Sequence, residues 1–188
     1  NNFQLQPMTP DMEPKRDFFI KGLLEIFSDK DVFEQNYLTK LTTYKEAEQK
    51  LDHSIASGIT QQSWDYFLIN SKNNEVIGVI TIIPPIAVRQ LYPFVTLFGQ
   101  AKKHSNNLWF IEYYVSRRER NRGHMSFWID ALLKVLKDQG ATCIGAFSNQ
   151  TNEASQQVLR KLNFDHYDDY NDHQGQQLWL KELCDTSL

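Results

Sequence analysis

The stretch Leu108–Leu133, LWFIEYYVSRRERNRGHMSFWIDALL, constrains this chain more than any other. It reads as a strand, a basic turn and a helix in immediate succession. Trp109–Val115 is apolar and aromatic apart from one acid, Glu112. Ser116–Gly123 is too charged to be a buried strand. From Ser126 to Leu136, apolar residues recur at Phe127, Ile129, Leu132, Leu133 and Leu136, close to helical spacing. A helix N-terminus presents N–H groups that have no partner within the helix, and it carries partial positive charge. Here that terminus is preceded by Arg117, Arg118, Arg120, Arg122 and Gly123. Glycine lets backbone come close to a ligand. The turn is therefore a candidate phosphate site. The alternative is a solvated basic turn.

The chain has 188 residues, enough for a single domain over 1–188 with its own core. A formal net charge of -3 implies no general affinity for nucleic acid, so the arginines are a local feature. No run is long enough to span a bilayer. Cys143 and Cys184 have neither metal spacing nor partners for a disulfide framework, and they read as reduced thiols of a cytoplasmic protein. His53, His104, His166 and His173 are scattered, and no metal is expected. No signal peptide is visible.

Elsewhere the periodicities alternate between sheet and helix. Phe3–Met8 reads as a strand ended by prolines, and Asp17–Phe27 as a helix. Asp31–Leu41 reads as a loop with a short helix. Thr43-Tyr44-Lys45-Glu46 is a capping box that opens a helix through Ala47, Leu51 and Ile55, stopped by Gly58. Trp64–Asn70 and Glu75–Ile83 read as strands joined by the turn Ser71–Asn74, with Pro84-Pro85 ending the second. Residues 86–107 are too long for a hairpin connection. They contain apolar residues such as Leu91, Tyr92, Phe94, Leu97 and Phe98 that argue for packing, with no assignable element. Ala141–Phe147 reads as a strand, Asn149–Leu162 as a helix, and Phe164–Tyr170 and Gln176–Leu183 as closing strands. Hairpins beside strand–helix units imply an α+β (mixed α/β) fold: a mixed, mostly antiparallel sheet with helices on both faces.

Arg120-Asn121-Arg122-Gly123-His124-Met125 resembles the Arg/Gln-x-x-Gly-x-Gly/Ala loop of the GNAT superfamily of acyl-CoA N-acyltransferases. Val115 lies five residues upstream of Arg120, as the strand-ending valine of that family does. A second stretch, Asn152 to Phe164, resembles the family's Asn-x-x-Ala/Ser helix ending in Lys-x-Gly-Phe, with Asn163 at the glycine. Asparagine tolerates the positive φ such a position takes. Leu5-Gln6-Pro7 near the start, the capped helix before a hairpin and Ser155 are similar to the RimJ/RimL-like, ribosomal-protein-alanine acetyltransferase branch. The resemblance covers the chain except Ile86–Asn107, an insertion or loop that would lie near the acceptor side in that fold; a lid over the core or a dimer contact is the other reading.

The resemblance implies acetyl-CoA as co-substrate and a primary amine, either a peptide N-terminus or a small molecule, as acceptor, in a monomer or homodimer. Tyr113, Tyr114 and Val115 would offer backbone groups to the pantetheine amides. Arg120, Asn121, Arg122, Gly123, His124, Met125 and Ser126 would form the loop that holds the pyrophosphate. Asn152 would bond the pantetheine arm, or simply cap its helix. Ser155 would serve near the sulfur, or be a plain helix residue; Leu159 stands where many members carry a tyrosine.

Glu112 is the candidate base on its own residue logic. An amino group near pH ~8, or a lysine near ~10.4, must lose a proton before attack. A lone carboxylate in an apolar strand is unfavourable unless it meets a cleft or a partner. The alternatives are an edge glutamate facing solvent or one paired with an arginine. Asp168, Asp169 and Asp172 could attract a cationic amine or be a solvated turn. A rival of another class is a catalytically silent acyl-CoA-binding or interaction module. It draws on Met125, whose side chain could crowd a pyrophosphate, and on Leu159 and Asn163.

Overall fold

The computed structural model describes residues 3–36, 40–95, 99–171 and 175–183. Of the residues singled out above, Leu97, Phe98, Asp172, His173 and Cys184 lie outside the described residues, as do the side chains of Asp168 and Asp169. Among the described residues there are seven strands: β1 Phe3–Pro7, β2 Trp64–Asn70, β3 Glu75–Ile83, β4 Leu108–Val115, β5 Cys143–Asn149, β6 Asp165–Asn171 and β7 Gln176–Glu182. They form one mixed sheet in the order β1-β2-β3-β4-β5-β7-β6. β4 and β5 run parallel, whereas β1–β2, β2–β3, β5–β7 and β6–β7 are antiparallel. The helices are α1 Arg16–Phe27, α2 Lys30–Asn36, α3 Tyr44–Ile59, α4 Pro85–Leu91, α5 Gly99–Lys103, α6 His124–Asp138 and α7 Glu153–Lys161.

The chain divides into two compact units, Asn1–Ile82 with Tyr113–Arg122, and Ile83–Glu112 with Gly123–Leu188. In the first, α1 buries Phe19, Ile20, Leu23, Ile26 and Phe27 along one stripe. That stripe shares a core with Ala47 and Leu51 of α3, Phe67 of β2 and Val79 of β3. Each large side chain so buried contributes roughly 1.5–3 kcal/mol. The capping box of α3 forms as its residues require: Thr43 Oγ1 accepts from the Glu46 N–H, and Glu46 Oε2 accepts from the Thr43 N–H. That helix continues one residue past Gly58 and ends at Thr60, whose N–H donates to the Ala56 carbonyl.

In the second unit, Ala87, Val88, Val95 and Ala101 join Leu108 and Phe110 of β4, Cys143 of β5, and Leu178 and Leu180 of β7 in a second core. The unassigned segment therefore holds two short helices. Pro85 opens α4 at its first position, where a missing N–H costs no hydrogen bond; the proline pair starts an element as well as ending one. Asn149 closes β5, so α7 is shorter than the sequence suggests.

Candidate active site

Glu112 is half-buried on β4. The parallel register of β4 with β5 runs from Leu108↔Cys143 to Phe110↔Gly145, so Glu112 lies beyond the paired segment. The Tyr92 hydroxyl donates to its Oε1 at 3.1 Å. The base candidate is thus partnered by a phenol, and neither of the alternatives raised for it, solvent or an arginine, includes that bond. Tyr92 sits just after α4, and nothing local in the sequence ties it to Glu112, twenty residues away.

Downstream, β4 supplies Tyr113, Tyr114 and Val115 to the first unit. Tyr113 and Val115 are half-buried, whereas Tyr114 is buried with its ring 4.9 Å from that of Phe27. The Ser116 N–H donates to the Ile77 carbonyl at 2.9 Å and fixes where the turn begins. Three of the four arginines in this turn are held by acids of the same unit. Arg118 reaches Glu25 at 2.7 Å and Glu75 at 3.4 Å. Arg120 reaches Asp29 and Asp31 at 2.8 Å each, and its Nε donates to the Val115 carbonyl at 3.4 Å. Arg122 reaches Glu119 at 3.2 Å. Arg120 is shielded by its two acids, whereas Arg118 and Arg122 are paired but exposed, and between them the loop presents backbone.

That backbone is shaped for close approach. Asn121 takes φ 60 and Gly123 takes φ 76, both in the left-handed region. A Cβ built on Gly123 would meet nothing within 4 Å, so the space beside it is open. Asn121, Arg122 and Gly123 are exposed. Gly123 is the N-cap of α6 and has no side chain with which to cap it, and no acid lies in the first turn. The start of α6 therefore carries the helix's partial positive charge with no acid in its own first turn. Met125 is 4% exposed and belongs to the buried hydrophobic residues. Ser126 is buried, and His124 is half-buried.

Asn152 and Ser155 come together at the start of α7: Asn152 Oδ1 accepts from the Ser155 N–H at 3.1 Å. The capping reading of Asn152 holds. Ser155 is half-buried, and Leu159 is fully buried and has no group to donate. Asn163 takes φ 58, the conformation expected at the glycine it replaces. Cys143 is fully buried and reduced, a poor nucleophile. Among the described residues no group of three or more His, Cys, Asp or Glu side chains is placed to hold a metal ion, and no helix is long and apolar enough to cross a membrane.

The fold has many solved counterparts. The ribosomal-protein-S5-alanine acetyltransferase from Vibrio fischeri is 14% identical, with a TM-score of 0.68 over 98% of this chain and 95% of that one. An acetyl transferase from Salmonella typhimurium that modifies the N-terminal serine of 50S ribosomal subunit protein L7/L12 is 16% identical, with a TM-score of 0.65 over 98% and 96%. An aminoglycoside acetyltransferase in complex with coenzyme A is 14% identical, with a TM-score of 0.67 over 96% and 95%. At such identities the likeness is one of fold. No curated protein matches the sequence. Residues 14–165 match the acetyltransferase (GNAT) domain. By that match, which takes in the β4–α6 loop and the elements from α1 to α7, the chain belongs to the GNAT acetyltransferase family.

Proposed function

We propose that this protein is an acetyl-CoA-dependent N-acetyltransferase acting on a primary amine, a protein N-terminus in the first place and a small-molecule amine in the second. The observation that carries the reading is the loop ahead of α6. Two residues there have left-handed backbone, the space beside Gly123 is open, and the helix has a glycine at its N-cap and no acid in its first turn. Such a helix start suits a pyrophosphate. Asn121 to Ser126 would offer their amides to it. Tyr113–Val115 would offer β4 backbone groups to the amides of the pantetheine arm.

Acetyl-CoA, when bound, supplies an acetyl group on a thioester that an amine can attack directly in a ternary complex. Glu112 takes the proton that the amine loses as its nitrogen bonds to the carbonyl carbon, and later returns that proton to solvent. Ser155 relays a solvent proton to the sulfur as the carbon–sulfur bond breaks. No acyl-enzyme is needed, and the burial of Cys143 fits that route. The departures that favoured a silent module have packing explanations: Met125 is buried, Asn163 has the backbone of the glycine it replaces, and the buried Leu159 leaves the proton donor's role to Ser155.

Calorimetric titration with acetyl-CoA and with coenzyme A, followed by assay of thiol release with peptides bearing a free N-terminus and with small polyamines, tests the proposal. Micromolar binding is expected. Glu112→Gln should leave it intact while lowering turnover by about a hundredfold or more. Absence of binding at millimolar cofactor would remove the reading, and binding without turnover on any amine would leave the silent module.

A further inference from the structure

Residues 85–107 lie between β3 and β4, and they deliver one side chain to Glu112. Tyr92 is fixed from three directions. Its N–H donates to the Val88 carbonyl at 2.8 Å, and its own carbonyl accepts from the Val95 N–H at 3.0 Å. Its ring lies 5.3 Å from Phe110 and 5.3 Å from Phe147. Phe110 is two residues from Glu112 on β4 and so shares its face of the strand. A phenol held this firmly loses little further freedom when its hydroxyl donates to Glu112 Oε1.

We infer that Tyr92 is a positioning residue for Glu112. Its hydroxyl anchors one carboxylate oxygen and sets both the rotamer and the proton affinity of the group that accepts the amine's proton. The inference rests on the base role proposed for Glu112. A hydrogen bond to the ionised form of a carboxylate favours that form, so the tyrosine would keep Glu112 ready as a base to lower pH than its half-buried strand position alone would allow. The segment carrying α4 would thus bear directly on the proton transfer.

Tyr92→Phe removes the hydroxyl and keeps the ring. With 13C-labelled glutamate side chains, the Glu112 carboxyl resonance is identified by its loss in Glu112→Gln, and it is titrated in the wild-type protein and in Tyr92→Phe. The inference expects Glu112 to titrate at higher pH in the variant, with unchanged coenzyme A affinity. In the acetyl-CoA assay with free-N-terminus peptides and small polyamines, it also expects turnover lowered about tenfold, with the acid limb of the rate profile moved in the same direction. Identical titration curves would overturn it, because a ring that merely packs would not move a carboxyl titration. If the curves differ but Glu112→Gln retains full turnover, the base role fails and the contact is structural. If Glu112→Gln is inactive while Tyr92→Phe matches the wild type in both readouts, the base role stands and Tyr92 is excluded.

Discussion

Arg120 directs its guanidinium at Asp29 and Asp31, 2.8 Å from each, with Nε turned to the Val115 carbonyl. Asp29 is 10% exposed and Arg120 24%, so the pair is better shielded than a surface ion pair. A residue whose spacing suggests phosphate binding is, in the folded chain, a strut tying the loop to the α1–α2 connection. Its acids lie some ninety residues away, and no local pattern points to them. At Gly123 a close backbone approach was legible from the glycine, whereas the positive φ at Asn121 is allowed by its residue type but not demanded by it. Arg120→Ala should lower stability by about 2 kcal/mol, since it leaves Asp29 shielded without its partner. Asp29→Asn should weaken coenzyme A binding along with it, and the double variant should fall short of the sum of the two. Arg122→Ala, at an exposed pair, should stay within about 0.5 kcal/mol. Melting temperatures and calorimetric affinities decide the matter: if Asp29→Asn binds coenzyme A like the wild type while Arg120→Ala does not, the guanidinium meets the phosphate after all.

At the scale of elements, legibility followed the range of the forces involved. The Thr43–Glu46 box and the β2–β3 hairpin are stabilised by neighbours within a few residues, and both stand where the sequence puts them. α4 and α5 have seven and five residues, too short to show a period, and they are held by burial against β4, β5 and β7. The same packing leaves no room at Gly145. Opposite it in the parallel register is Phe110, and a Cβ on Gly145 would collide with atoms of that ring. Phe110 cannot swing aside easily, because Tyr92 and Phe147 flank it at 5.3 and 5.1 Å. Gly145→Ala should therefore destabilise by about 2 kcal/mol, within the usual range for an overpacked core. Adding Phe110→Leu should recover part of that loss. Denaturant midpoints for the two variants and the wild type would measure it, and an unchanged midpoint for Gly145→Ala would show that this stack yields.

Taken whole, the molecule is two units, each assembled from separated stretches of chain. The alternation of strands and helices made the α+β class legible. The exchange of chain between units was not, because the apolar run of β4 reads the same whichever core each residue enters. Phe110 belongs to one core and Tyr114 to the other, four residues apart. The first unit thus depends on residues 113–122, which come after thirty residues of the second. Tyr114 buries its ring against Phe27, and the Ser116 N–H completes a bond to Ile77. A buried tyrosine removes some 150–250 Å² from water. With only the apolar part of that area counting, the gain is roughly 1.5–3 kcal/mol, a substantial share of the net stability of many domains. A fragment ending at Ile82 keeps α1, α3, β1, β2 and the pairing of β2 with β3, but loses that ring and all of β4, the other neighbour of β3. It should therefore fail to reach a native state, with collapsed amide dispersion in a 1H–15N spectrum and no cooperative melting by circular dichroism. A well-dispersed spectrum from this fragment would mean that the α1–α3 core suffices alone, and that β4 joins a unit already formed.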